Sequence, residues 1–111
     1  MTKYSKVPIL AIDTSTSYLS LALAVNTNIY TRHLNVGNKQ SEQILPQITE
    51  LFNQAGILAS DLGQIVYSAG PGTFTGLRIG IGVAQGLATP FDTPLQGVPT
   101  LYCIAELKFH H

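Results

Sequence analysis

Cysteine is nearly absent. Cys103 stands alone among 111 residues, so no disulfide can form within the chain. A lone thiol reads as a small buried hydrophobe in a reducing compartment. Tryptophan is missing, and charged residues make up only 11% of the sequence, six basic against six acidic. No block of Lys and Arg occurs, so the electrostatic footprint of a direct nucleic-acid binder is lacking. No apolar run approaches the roughly 20 residues that a membrane-spanning helix needs. Residues 1–6 lack the apolar stretch of a signal peptide and read as a short tail. These absences lead to the expectation of a soluble, cytoplasmic protein without membrane contact. Against the scarce charge stand 45% hydrophobic residues. Such a surface is either neutral and polar or partly covered by a partner.

The length suits one domain with a modest core, set here at residues 7–111. Residues 7–12 form a short apolar run, the pattern of a strand buried on both faces. The turn Asp13-Thr14-Ser15-Thr16-Ser17 follows, and residues 19–25 and 29–36 read as two more strands around Asn26-Thr27-Asn28. In the third strand Ile29, Thr31, His33 and Asn35 share one face, and Tyr30, Arg32, Leu34 and Val36 the other. Ile44, Leu45, Ile48, Leu51, Phe52 and Ala55 recur at helical spacing, and Gly56 is a suitable stop. Pro46 costs nothing in a first turn and otherwise interrupts the helix. A strand at 64–69, a helix ending near Pro90, a short strand at 94–98 and a helix over 100–109 complete a βββαβαβα order. That order describes an α/β fold in which three antiparallel strands lead into parallel βα units.

The stretch SAGPGTFTGLRIGIGVAQGLA, residues 68–88, contains six glycines. A glycine-rich loop opening a helix can cradle phosphate with its backbone amides. This one lacks the G-K-[ST] of a P-loop and the spacing of a dinucleotide fingerprint, although Asp92 stands near the distance of a ribose-binding carboxylate. The plainer reading is a tight strand-to-helix connection. In the helix, Gly76, Gly80, Ala84 and Ala88 line one stripe and Gly82 with Gly86 another, while Arg78 and Gln85 mark the polar edge. Interior glycines cost about 1 kcal/mol each relative to alanine. A close-packed seam offsets that cost, supplied either by the neighbouring helix of this domain or by another chain. With the helix pairing that the family resemblance below implies, the surface proposed for a partner comprises Ile44, Ile48 and Leu51 of the first helix and Gly76, Ile79, Gly80, Val83, Ala84 and Leu87 of the second.

Asp13, Thr14, Ser15 and Thr16 form a second candidate: a carboxylate for Mg²⁺ beside hydroxyls for phosphate, or an Asp that caps its own turn. His33 has no second ligand at metal spacing. His110-His111 is adjacent and terminal, either native or the remnant of a tag. No metal, cofactor or catalytic set is expected.

These residues carry a resemblance. Ile9-Leu10-Ala11-Ile12-Asp13-Thr14-Ser15-Thr16 resembles the opening of the TsaB (YeaZ) family. Gly70-Pro71-Gly72-Thr73-Phe74-Thr75-Gly76-Leu77-Arg78-Ile79-Gly80 is similar to that family's signature, with Thr73 where serine is commoner. Residues 41–46, 60–62 and 97–101 fall in family order. Gln40 stands where the family often has histidine.

The resemblance implies an actin-like (ASKHA, ribonuclease H-like) half-domain with a mixed five-stranded sheet. It also implies a role in making N6-threonylcarbamoyladenosine in ANN-decoding tRNAs. The family's subunit is not the catalyst. It pairs with TsaD (Gcp/YgjD), which binds metal and nucleotide, and TsaE docks on that pair. Pairing uses the first two helices, corresponding here to residues 42–55 and 76–89, and related surfaces support homodimers. Contact with tRNA is then indirect. Family members have a second lobe beyond the point where this chain ends, so ATP turnover by a single lobe is not expected. The wider family's peptidase label finds no protease constellation here. The alternative is a nucleotide-binding lobe of an actin-like ATPase or kinase, built on Asp13 and residues 14–17.

Overall fold

The computed structural model describes residues 7–100. β1 (Ile9–Asp13), β2 (Tyr18–Val25) and β3 (Asn28–Asn35) run as an antiparallel meander. α1 (Gln40–Ala55) then leads to β4 (Gln64–Ser68), and α2 (Phe74–Ala88) leads to β5 (Leu95–Val98). The sheet order is β3-β2-β1-β4-β5, with β1 antiparallel to β2 and parallel to β4. β1 is therefore the hinge between the two pairing modes. Its unbroken apolar run fits that place, because a central strand covered on both faces has no polar side to show.

The pleat divides the side chains by size. Leu10 and Ile12, Leu19, Leu21 and Leu23, and Ile65 point to one face. There they meet Ile44, Ile48 and Leu51 of α1 and Ala84 and Ala88 of α2 in one core. The opposite face carries a second cluster of smaller residues: Ile9, Ala11, Ala22, Ala24, Val66 and Val98. β3 lies at the edge. Its Tyr30, Arg32 and Leu34 are half-buried on the helix side, whereas Ile29, Thr31, His33 and Asn35 are exposed, as the alternation anticipates. Arg32 ties this edge to α1, donating to Gln54 Oε1 at 3.1 Å and lying 3.8 Å from Glu50 Oε1. Exposed pairs of this kind contribute little. Asn26 takes the hairpin's left-handed position at φ 57°, a role its short side chain tolerates.

α1 begins earlier than its apolar spacing suggests. Gln40 opens it, so Pro46 lies inside the helix, and one hydrogen bond to the Glu42 carbonyl is forgone. Pro46 is exposed, where water can satisfy that carbonyl. Gly56 ends the helix at φ 72°, with its N–H 2.8 Å from the Phe52 carbonyl and the Ile57 N–H 3.1 Å from the same oxygen. The expected tail at 1–6, the expected helix over 100–109 beyond its first residue, Cys103 and His110-His111 lie outside the described residues.

Three residues expected on the partner surface belong to this core instead. Ile44, Ile48 and Leu51 are 1%, 2% and 0% exposed. Helical spacing marks an apolar stripe without saying what covers it, and here the sheet does. The Leu51→Ala variant is expected to lose about 2–5 kcal/mol of unfolding free energy, against less than about 1 kcal/mol for Leu45→Ala at a half-exposed site. Urea denaturation followed by circular dichroism compares the two. Equal losses would contradict this packing.

Candidate functional site

Two features of the sequence, the Asp13 turn and the glycine signature, are brought together at the top of β1 and β4. Asp13 Oδ1 accepts from the Ser15 N–H at 2.9 Å, and Thr16 Oγ1 accepts from the Tyr18 N–H at 3.1 Å. The turn is thus capped by its own side chains. Thr14 and Ser15 are buried. The Thr14 hydroxyl donates to the Gly76 carbonyl, and the Ser15 carbonyl accepts from the Thr73 N–H at 2.9 Å. Those hydrogen-bonding groups are engaged with the first turn of α2 rather than presented to a ligand.

The glycines make that approach possible. A Cβ on Gly72 would stand 2.5 Å from Ser15 Cβ, and one on Gly80 2.5 Å from Thr14 Oγ1. A Cβ on Gly76 would collide with the Thr14 carbonyl oxygen. Gly70-Pro71 is a cis peptide, held by Thr100, whose N–H donates to Gly70 O at 2.8 Å and whose hydroxyl donates to Pro71 O at 2.7 Å. Thr73 caps α2, accepting from the Gly76 N–H at 3.2 Å. Phe74, Thr75 and Arg78 remain on the outside.

This arrangement corrects the stripe assigned to a partner. Gly76, Gly80 and Ala84 are buried against β1, the turn and the core, so they are not an exposed face. Small residues four apart admit a close neighbour, and here the neighbour is the chain's own turn. The exposed stripe is the other one. Gly82 and Gly86 line a hollow of about 380 Å³ with Val83, Leu87 and Leu45. Ile79, Val83 and Leu87 are half-buried and pack against the core, with Val83 and Leu87 also lining this hollow. Leu45, 52% exposed, also lines it; the sequence reading placed this residue in the α1 apolar stripe but not on the surface proposed for a partner.

Gln40 occupies the junction of both helices. It is 3% exposed, and its Nε2 donates to the Thr16 and Tyr18 carbonyls at 2.7 and 3.0 Å. It therefore binds α1 to the β1–β2 turn. Elsewhere, Ser20 Oγ lies 2.6 Å from His33 Nδ1, and His33 stacks on Tyr18 at 4.6 Å. No carboxylate pairs with His33 among the described residues, so no serine–histidine–acid set forms. No group of three metal-ligating side chains occurs among those residues either.

Gly76→Ala and Gly80→Ala are each expected to cost about 1–3 kcal/mol, because overpacking here pushes backbone against backbone or a buried hydroxyl. Thermal denaturation measures the loss. Unchanged stability in both would mean that the turn does not press on α2.

A family profile described as "TsaD: tRNA N6-adenosine threonylcarbamoyltransferase" matches residues 35–110. The chain is 39% identical over 98 residues to the tRNA threonylcarbamoyladenosine biosynthesis protein TsaB of Escherichia coli, covering 88% of this chain and 42% of that protein. It is 36% identical over 103 residues to TsaB of Bacillus subtilis, covering 92% and 45%. It therefore spans less than half the length of these relatives. YeaZ from Pseudomonas aeruginosa superimposes with a TM-score of 0.83 at 34% identity, over 94% of this chain and 49% of that one. Another solved structure from that organism is described as similar to peptidase YeaZ. RuvC of T. thermophilus matches with a TM-score of 0.57 at 8% identity, over 86% and 66%, a likeness of fold alone. The mixed sheet, the signature packed on its turn and these relatives agree: the chain belongs to the TsaB (YeaZ) family.

Proposed function

We propose that this chain is a non-catalytic scaffold in the formation of N6-threonylcarbamoyladenosine on tRNA, binding TsaD through the exposed face of α1 and α2. The names of its relatives support the biosynthetic role. Gly82 and Gly86 carry the docking reading. Both lie inside α2, both are exposed, and among the described residues no atom beyond the chain neighbours and the helix's own backbone stands within 4 Å of where a Cβ would be. The fold of the described residues does not demand glycine at either place. Each still costs the helix about 1 kcal/mol relative to alanine. A bare backbone beside Leu45, Val83 and Leu87 suits a second helix laid close against it. Assembly with TsaE through that pair, indirect contact with tRNA and a cytoplasmic setting belong to the same reading. A homodimer through the same face is the competing occupant.

The nucleotide-binding alternative has less support, since Thr14 and Ser15 are buried and bonded to α2. Calorimetric titration with Mg-ATP tests it; heat that vanishes in Asp13→Ala would restore it.

Size-exclusion chromatography with light scattering, on the chain alone and with TsaD of its own organism, tests the scaffold reading. A heterocomplex is expected. Gly86→Arg should abolish it while the circular dichroism spectrum is kept. Gly86→Ala should stabilise the chain by up to about 1 kcal/mol yet weaken the complex. A folded Gly86→Arg variant that binds as the unaltered chain does would overturn the proposal.

A further inference from the structure

Phe74 is 73% exposed, more than any other large apolar side chain among the described residues. It sits at the first position of α2 and serves neither the core nor the capped turn. Arg78, one turn on, places its guanidinium 5.2 Å from the Phe74 ring centre. Among the described residues Arg78 has no carboxylate partner, in contrast to Arg32 with Glu50. Two adjoining hollows meet here. One of about 330 Å³ is lined by Phe74, Thr75, Arg78 and Ile79. The other, about 260 Å³, lies between the starts of α1 and α2 and shares Thr75 and Ile79 with the first. Its lining contains no carboxylate. The result is a trough with an apolar floor at Ile79 and a fixed cation on its rim.

Resting on the docking reading above, we propose that this trough is a second contact for the same protein partner and takes a carboxylate-bearing segment of it. The segment's apolar part lies against Phe74 and Ile79, and its Asp or Glu side chain pairs with Arg78. An arginine held by an aromatic ring has lost part of its rotamer freedom before binding, and its planar fork can bind a carboxylate through two parallel hydrogen bonds. Aromatic and arginine anchors of this kind dominate interface energetics. The trough lies at the start of α2, and Ile79 continues by steps of four residues into Val83 and Leu87 on the helix face. One partner can therefore span both contacts.

Titration of TsaD from the same organism against the chain, at about 50 mM and about 500 mM salt, tests this, because screening separates a charged contact from an apolar one. Phe74→Ala and Arg78→Gln are each expected to weaken binding about tenfold at low salt. Arg78→Gln should also remove most of the salt dependence, which loss of packing alone would not do. Arg32→Gln, on the far edge of the sheet, should leave binding unchanged. Both exposed substitutions should leave the melting temperature intact, so folding does not confuse the outcome. If Phe74→Ala and Arg78→Gln bind like the unaltered chain while Gly86→Arg does not, the trough proposal falls and helix-face docking stands. If the unaltered chain does not bind TsaD, both fall together.

Discussion

The structure depends on one close approach, that of the β1–β2 turn to the first turns of α2. It is short-range and steric. Thr14 and Ser15 sit where side chains on Gly72, Gly76 and Gly80 would be. The hydrogen bonds from Thr14 to Gly76 and from Thr73 to Ser15 hold the contact. Because the turn leaves β1 and α2 leaves β4, this contact also fixes the height of α2 on the sheet. Ala84 and Ala88 then reach the core on the same side of the helix. With that side committed, Gly82, Gly86 and the flanks of Val83 and Leu87 are turned outward. The exposed stripe of this helix is thus a consequence of the inward packing of the other.

The same geometry bears on chemistry. In an actin-like fold, a carboxylate at the end of the first strand and a hydroxyl-rich turn are natural places for a metal and phosphate. Here the carboxylate caps its own turn and the Thr14 hydroxyl serves a helix carbonyl. A turn that spends its hydrogen-bonding capacity holding a helix is suited to support. The side chains left outward at this end include Phe74 and Arg78, which stack on one another.

Much of the fold was legible in the sequence because single residues carry strong signals. The continuous apolar run around Leu10–Ile12 announces a central strand, the alternation in β3 announces an edge, and Gly56 and Thr73 mark helix ends. The candidate site was less legible for a physical reason. A four-residue repeat of small side chains says that something comes close but not what. Gly76, Gly80 and Ala84 meet the chain's own turn and core, whereas Gly82 and Gly86 meet no other element among the described residues. Only tertiary packing separates the two stripes, which lie on the same helix with similar composition. Ile44, Ile48 and Leu51 raise the same ambiguity, resolved by the large residues of β2 beneath them. The start of α1 was misplaced because Gln40, a polar residue, is buried by bonding to backbone carbonyls that periodicity cannot foresee.

The position of β1 has a consequence for the timing of motion. Its neighbours are held by different ladders, antiparallel on one side and parallel on the other, and both of its faces are covered. Its amide hydrogens therefore have no local route to solvent. Their exchange requires opening of the whole sheet, while those of β3 along the free edge can be lost by fraying. Among the described residues, Leu10, Ala11 and Ile12 are therefore expected to exchange most slowly. The Asp13 turn, joined directly to them, takes its steadiness from that strand.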